Sequence, residues 1–232
     1  MTGKIAIVDL SSKPSPLLDS VPGFGVMVKR WLSQTIDGDD LVVIDVAHAG
    51  QPVPAATDYE GFVIGGSEKG VYDETVWMEP VRGLLHAARL LGKPVFGICF
   101  GHQIMAEVYG GKAEQVDLGE MVGPREFVIN ATEQTAYVWH HDQVTDVPPL
   151  ATVIGSAPYC PIAALAYEFP AMSVQFHPEY TGEFFSNVLD LGRGNFLDNE
   201  TTSTALERIK SINVDTMIMA NEAAAFFQKH TS

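Results

Sequence analysis

The amino-acid sequence predicts an α/β fold with a mostly parallel central sheet and helices on both of its faces. Short apolar, β-branched runs alternate with longer stretches of helical periodicity in the first half of the chain. That order is typical of parallel strands joined by crossover helices. The runs from 126 to 176 follow one another without helical stretches, so some antiparallel pairing is expected there. A chain of 232 residues is also long enough to bury about 70% of its unfolded surface as one domain.

Each strand is placed where apolar and β-branched residues cluster between turn-forming residues. Strands are predicted at 4–9, 41–46, 61–64, 94–98, 126–129, 135–139, 151–155, 162–167 and 171–176. Helices are predicted at about 22–35, 76–91, 101–109 and 213–229. The helix at 76–91 carries Val81, Leu84 and Leu85 at helical spacing and is followed by Gly92, which suits a helix stop. Its apolar stripe is therefore assigned to the core.

One domain is expected over residues 1–232, with its core at about 4–180 and a loop and terminal helix at about 181–232. Within the latter, residues 192–212 are rich in Gly, Asn and Thr, and they predict a loop that leads into the last helix.

The composition excludes two classes of partner. The net charge is −15, from 14 basic and 29 acidic residues, and no basic run is present to contact nucleic-acid phosphates. No apolar run is long enough for a bilayer, and the start lacks the long apolar region of a secretory signal. Two cysteines do not suggest a disulfide framework, and Cys160 is interpreted as a structural residue at a strand end. We therefore expect a reduced, cytoplasmic protein that binds neither nucleic acid nor membrane.

Residues 93–103 form the most informative segment, because a buried apolar strand meets a glycine-flanked cysteine and then a helix. Cys99 at such a turn would have backbone N–H groups and the positive end of the helix dipole beside it. The dipole favours thiolate, and the N–H groups can hold an oxyanion, as acyl-transfer chemistry requires. The alternative is a small apolar residue packed at a strand end.

A second candidate site follows the strand predicted at 171–176. His177 and Glu179 lie two residues apart around Pro178, so in extended backbone they point to the same side. A base oriented by a carboxylate is the partner that a nucleophile needs. A histidine near a glutamate is more often a surface pair, and only the combination with Cys99 favours the catalytic interpretation.

Four segments resemble the class I (triad-type) glutamine amidotransferases, and they follow one another along the chain in the order found in that family. Gly-Ile-Cys-Phe-Gly-His-Gln at 97–103 resembles the family's G-x-C-x-G-x-Q nucleophile elbow, and Gln-Phe-His-Pro-Glu at 175–179 resembles its Q-F-H-P-E segment. Residues 61–67 resemble the strand and Gly-Gly turn beside the oxyanion hole, and 139–144 resembles the S-H-x-D-x-V segment beside the glutamine pocket. The resemblance covers roughly residues 4–180 and implies a flavodoxin-like fold with no cofactor.

The resemblance also implies roles for individual residues. It makes Cys99, His177 and Glu179 a catalytic triad, and it assigns the oxyanion hole to the N–H groups of Gly66 and Phe100.

Substrate contacts are implied at Gln103, Gly65, Trp139 and His140. Gln103 has the alternative of pairing with the helix N-terminus, and His102 is interpreted as a neighbour only. Trp139 stands where many members have Ser and His141 where they often have Gly, so the pocket is expected to carry extra aromatic surface. A metal at His140, His141 and Asp142 is disfavoured because adjacent histidines in a strand point to opposite sides.

The expected function is hydrolysis of a γ-glutamyl amide through a γ-glutamyl thioester on Cys99. Residues 62–67, followed by 71–73 and Trp77, also resemble stand-alone relatives of the GMP synthase amidotransferase domain, some of which hydrolyse γ-glutamyl peptides or amides. The leaving group is open: ammonia, an amino acid or an amine, including an aromatic amine if Trp139 or Phe100 lines the pocket mouth.

Two other functions remain as alternatives. One is a glutaminase subunit that delivers ammonia to a separate synthetase partner. The other is a non-catalytic binding or regulatory protein, against which the intact set of Cys99, His177 and Glu179 argues.

Overall fold

The structure, a computed structural model, describes residues 3–12 and 20–231. Its strands are β1 (Ile5–Asp9), β2 (Leu41–Asp45), β3 (Gly61–Ile64), β4 (Val95–Ile98), β5 (Lys112–Gln115), β6 (Met121–Ile129), β7 (Thr132–His140), β8 (Asp142–Asp146), β9 (Ala151–Ala157), β10 (Cys160–Tyr167) and β11 (Ala171–Val174). Its helices are α1 (Phe24–Leu32), α2 (Met78–Leu90), α3 (Phe100–Val108), α4 (Gly182–Gly192), α5 (Asn199–Ser211) and α6 (Met217–His230).

Within the described residues, nine strands form one sheet in the order β2-β1-β3-β4-β11-β10-β9-β6-β7. The strands from β2 to β11 pair in parallel, and those from β11 to β7 pair antiparallel. The predicted α/β class, and antiparallel pairing in the second half of the chain, are thus confirmed. Two short strands that were not predicted, β5 and β8, form a separate antiparallel ribbon.

Helices cover both faces of the sheet, as alternate residues of β1 show. Ile5 and Ile7 belong to a core cluster completed by α1 and α6, whereas Ala6 and Val8 belong to a cluster completed by α2 and α3. Because every second residue of a strand faces the same side, this division places one helical layer on each face. The predicted core assignment of the α2 stripe is confirmed, since Val81, Leu84 and Leu85 are buried in it.

The parallel pair β4–β11 positions the site. In its register Ile98 lies opposite Val174, so the two strands end side by side at one edge of the sheet. Cys99 follows β4 directly, and His177 lies three residues beyond β11. The predicted strand to residue 176 was two residues too long, because β11 ends at Val174.

The prediction of a loop at 192–212 was wrong, because most of that segment is helix α5. Asp198 caps the helix by accepting the N–H groups of Glu200 and Thr201, and Thr202 and Ala205 are buried against the rest of the chain. The threonines there have modest helix propensity, so tertiary packing rather than local preference stabilises the helix.

Helix α4 was also missed in the segment expected to be loop. It places Phe185 and Leu189 in a third core cluster, which includes Tyr137 of β7, Leu197 and Ala205 of α5.

Candidate functional site

Cys99 occupies a sharp turn between β4 and α3. Its backbone has φ 53° and ψ −104°, a region that non-glycine residues rarely adopt. Two glycines let α3 start this close to the sheet. A Cβ on Gly101 would lie 2.1 Å from the Ile64 carbonyl oxygen, and one on Gly97 would lie 2.5 Å from Met105 Sδ. The local sequence thus holds the thiol at the N-terminus of a helix, as predicted.

His177 and Glu179 form a buried, hydrogen-bonded pair beside it. His177 Nδ1 lies 2.6 Å from Glu179 Oε1, and the His177 backbone N–H donates to the Tyr137 carbonyl. Burial lowers the pKa of His177, but the Glu179 carboxylate and the Cys99 side chain outweigh it and raise that pKa to about 10. Glu179 occupies Nδ1, which leaves Nε2 as the ring nitrogen open to the neighbouring Cys99 side chain. His177 is therefore an imidazolium at neutral pH.

A relay of two side-chain amides leads to the thiol. Gln103 Nε2 donates to the Asp142 carbonyl at 2.9 Å and to Gln175 Oε1 at 3.2 Å. Since a carbonyl only accepts, this fixes the orientation of the Gln103 amide, and through it that of Gln175. Gln175 Nε2 then points to Cys99 Sγ at 3.7 Å. From the sequence, Gln175 was noted only as the first residue of the Q-F-H-P-E segment. Its contact with Cys99 could not be predicted, because it requires the pairing of β4 with β11.

The two proposed oxyanion donors lie on opposite sides of Cys99 in sequence. Phe100 is the first residue of α3, so its N–H has no acceptor within the helix, whereas its ring is buried against Trp77. Gly66 lines the cavity, and a Cβ there would lie 3.1 Å from His177 Cε1. Gly65 donates its N–H to the Val8 carbonyl and does not line the cavity. Gly65 thus forms the turn behind the wall.

A cavity of about 540 Å³ opens over these groups. Of the residues predicted from sequence, it is lined by Cys99, His177, Gly66, Gln103, Trp139 and His140. Glu179, Phe100 and Gly65 lie behind its wall. The structure thus brings the candidate nucleophile, base and pocket residues to one cavity.

His140 and Asp142 form the polar end of this cavity. His140 Nδ1 lies 3.0 Å from the Asp142 carbonyl, so that nitrogen carries the proton, and Nε2 is buried without a partner among the described residues. Burial and the nearby His177 lower the pKa of His140 to about 3, which makes it neutral at physiological pH. The Asp142 carboxylate accepts from Tyr72 Oη at 3.3 Å, and burial raises its pKa.

The aromatic end of the cavity was largely missed by sequence reasoning. Phe24 from α1, Tyr180, Phe184 from α4 and Phe196 after α4 line it together with Trp139. Three of them belong to the segment after 179, where neither α4 nor its packing was foreseen. The Thr181 cap, whose side chain accepts the Phe184 N–H, was the local signal for a helix there. Trp139 is confirmed as extra aromatic surface, whereas the fully buried Phe100 does not reach the mouth.

No group of three or more His, Cys, Asp or Glu side chains in the described ranges is arranged to hold a metal ion. His140 is buried, whereas His141 is half-exposed and pairs with Glu120 at 3.4 Å. Among the described helices, none is both long and apolar enough to cross a membrane.

His102 lies next to the site but faces the sheet. Its Nε2 is 3.0 Å from the Ile162 carbonyl and must donate, so Nδ1 accepts the Ser173 hydroxyl at 2.8 Å. The ring is fully buried, and this burial lowers its pKa to about 4. It is a neutral structural residue, which agrees with its interpretation as a neighbour.

We expect His102 to make the protein acid-sensitive. The unfolded chain binds a proton near pH 6.5 and the folded chain does so only near pH 4, so stability falls as pH drops through that window. The loss should reach about 3 kcal/mol below pH 4. The free energy of unfolding is measured by denaturant titration between pH 4 and 7. It should depend less on pH in His102→Gln than in the wild type. The control Ile104→Val on the same helix should lower the free energy of unfolding without changing its dependence on pH. If His102→Gln kept the pH dependence of the wild type, His102 would not be the group that makes the protein acid-sensitive.

Comparison with known proteins agrees with this geometry. Residues 39–189 match the family described as glutamine amidotransferase class-I. Gamma-glutamyl peptidase 2 of Arabidopsis thaliana is 29% identical over 213 residues, which are 84% of this chain and 81% of that protein. A glutamine-hydrolyzing GMP synthase of Bordetella avium is 36% identical over 144 residues, but these are 55% of this chain and only 26% of that synthase.

Solved structures support the fold. A glutamine amidotransferase from Thermotoga maritima superposes with a TM-score of 0.75 at 16% identity, covering 100% of this chain and 99% of that one. A glutamine amidotransferase from Methylobacillus flagellatus gives a TM-score of 0.73 at 19% identity, covering 100% of this chain and 96% of that one. At these identities the likeness concerns the fold alone.

Proposed function

The chain belongs to the glutamine amidotransferase class-I family, and on that premise we propose that it hydrolyses γ-glutamyl amide bonds with Cys99, His177 and Glu179 as its catalytic triad. The observation that carries the proposal is the geometry of the Cys99 turn: a backbone-strained cysteine at a helix N-terminus lies beside an imidazolium that a buried glutamate holds at 2.6 Å.

Acylation starts with the Cys99 thiolate, which attacks the γ-carbonyl carbon and forms a C–S bond. The negative charge moves to the carbonyl oxygen, where the N–H groups of Gly66 and Phe100 are the proposed donors; losing one such donor typically costs about 3 kcal/mol of barrier. His177 then gives its proton to the departing nitrogen as the C–N bond breaks. Glu179 holds the ring in the required tautomer and stabilises its charged form.

Deacylation repeats the sequence with water. His177, now neutral, takes a proton from water as the new C–O bond forms, and the C–S bond breaks to release glutamate. The thiolate and imidazolium are thereby restored.

The polar end of the cavity is the proposed site for the glutamyl head group. The Asp142 carboxylate lines the cavity and is an acceptor suited to an α-ammonium group, and the neutral His140 ring lines the cavity beside it. Gln103 spends both N–H groups on Asp142 and Gln175, so its amide oxygen is the atom left for substrate. These assignments give Gln103 and His140 substrate contacts, with Gln103 also positioning Gln175.

A second candidate is a glutaminase subunit that supplies ammonia to a separate synthetase. The match to a glutamine-hydrolyzing GMP synthase supports it. It predicts little turnover by the chain alone and stimulation by a partner, whereas a self-sufficient hydrolase needs none.

The test is glutamate release by the purified chain from glutamine, γ-glutamyl dipeptides and γ-glutamyl alkyl and aryl amides. Hydroxylamine added to the assay should divert the thioester to γ-glutamyl hydroxamate, which reports the intermediate directly. Release and hydroxamate that both require Cys99 are the expected result. Release without hydroxamate that persists in Cys99→Ala would sink the covalent mechanism. No release until a synthetase is added would favour the second candidate.

A further inference from the structure

A series of aromatic contacts extends from the catalytic histidine along the cavity lining. Tyr180 stacks on the His177 ring at 4.2 Å between centroids and an angle of 5°, and it contacts Phe184 at 5.1 Å. Phe24 meets His177 edge to face at 6.1 Å. The imidazole thus has one stacked and one edge-to-face aromatic neighbour, and both of these rings line the cavity.

Trp139 continues this surface on the cysteine side. Its carbonyl lies 3.8 Å from Cys99 Sγ, and its ring stacks on Phe196 at 6.1 Å and 25°. Glu120 accepts the indole N–H at 2.6 Å, which holds the ring in place. Phe196 is 38% exposed although it lines the cavity, so its face is available to a ligand.

The position of His177 decides which part of a substrate meets these rings. His177 must hand its proton to the departing nitrogen, so the leaving group lies beside His177 and its aromatic neighbours. The glutamyl head group occupies the polar end near Asp142. The cavity volume of about 540 Å³ lies within the range of about 300–1,000 Å³ of pockets that bury drug-sized ligands, which leaves room beyond a glutamyl group.

Charge excludes one common kind of leaving group. Among the described lining residues, the carboxylates are Glu68, Asp73, Glu120 and Asp142, and the cationic groups are Lys69 and the His177 imidazolium, whose charge Glu179 balances. An amino-acid leaving group would bring a further carboxylate into this acidic cavity, next to apolar rings that cannot solvate it. An uncharged apolar amine meets neither penalty.

We propose that the aromatic wall formed by Phe24, Trp139, Tyr180, Phe184 and Phe196 is a leaving-group subsite for uncharged apolar amines, aromatic ones above all. This inference rests on the proposed γ-glutamyl hydrolase function and names its substrate class. The chemistry is unchanged: the C–N bond breaks, the His177 proton goes to nitrogen, and the apolar amine leaves.

A matched pair of substrates tests the subsite. γ-Glutamyl phenethylamide and γ-glutamyl phenylalanine differ only in the carboxylate of the leaving group. We expect kcat/KM to be at least about tenfold higher for the amide, and the amide to exceed glutamine as well. A γ-glutamyl aminobutylamide, whose leaving group carries a cation, should fall below the phenethylamide, because the loss of ammonium hydration against the apolar rings outweighs the attraction of the cavity carboxylates.

Variants of the wall then identify the residues. Phe196→Ala and Phe184→Ala should each lower the ratio of kcat/KM for the phenethylamide to that for glutamine by about tenfold, and Phe196→Leu should restore part of it. Phe226→Ala on α6 is the control, because that ring packs on Phe227 and His230 away from the cavity. It should leave the ratio unchanged.

Binding to the Cys99→Ala protein, measured by calorimetry, makes the test independent of turnover. The subsite is supported if the phenethylamide binds more tightly than γ-glutamyl phenylalanine and if Phe196→Ala weakens that binding. This result supports the subsite even if no hydrolysis is found, and in that case only the proposed function fails. The subsite would be overturned if γ-glutamyl phenylalanine or the cationic amide were used as well as or better than the phenethylamide. It would also be overturned if the wall variants changed neither the kcat/KM ratios nor the affinities. In both cases Cys99-dependent hydrolysis would keep the proposed function intact.

Discussion

Replacement of Cys99 by alanine is expected to lower kcat/KM for every γ-glutamyl substrate by at least about 10⁴-fold. The substitution removes the atom that forms the acyl bond, and the remaining groups can only bind substrate and polarise its carbonyl. Steady-state glutamate release measures the loss, and the hydroxamate signal should disappear with it.

The matched control is the other cysteine. Cys160 is fully buried at the start of β10, and burial together with the nearby Cys99 raises the pKa of its thiol to about 12. Cys160→Ala should therefore retain turnover, and a thiol-directed glutamine analogue should label Cys99 alone. Survival of hydrolysis in Cys99→Ala, or its loss in a folded Cys160→Ala, would show that the nucleophile is assigned wrongly.

Glu179→Gln is expected to have the second largest effect, a fall in kcat of about 10³- to 10⁴-fold. The glutamine side chain keeps the shape but removes the charge that stabilises the His177 imidazolium. Glu179 raises the pKa of His177. The alkaline limb of the pH profile, along which activity is lost, should therefore lie at lower pH in the variant than in the wild type. The pH profile of kcat/KM measures this shift, and Glu183→Gln on the exposed start of α4 is the matched control.

The same pair should also affect stability, with a defined sign. The folded pKa of His177, about 10, lies above its unfolded value, so the pair stabilises the fold fully below pH 6.5 and progressively less up to pH 10. The difference in unfolding free energy between wild type and Glu179→Gln should therefore shrink as pH rises through that window. If the difference in unfolding free energy shrank as pH fell instead, the result would contradict a raised pKa of His177.

The sheet was largely predictable because its strands have short-range signatures. The apolar runs that became β1, β3 and β4 are bounded by turn residues, so their positions were predicted within one residue. The polar strands β5 and β8 escaped because nothing local distinguishes them from loop. Helix α5 escaped because its stability comes from Thr202 and Ala205 packing on other elements, which no window of neighbouring residues contains.

The sequence by itself determined the two halves of the site. The glycines around Cys99 specify a tight turn into a helix, and His177 and Glu179 are close in space because only Pro178 separates them. Tertiary structure alone decided that these halves meet, since the parallel pairing of β4 with β11 joins segments that are distant in the sequence at one sheet edge. It also decided the character of the cavity, whose aromatic wall gathers rings from α1, β7 and α4. The physical reason is that local patterns record contacts within a few residues, whereas a cavity is lined by whatever long-range packing brings to it.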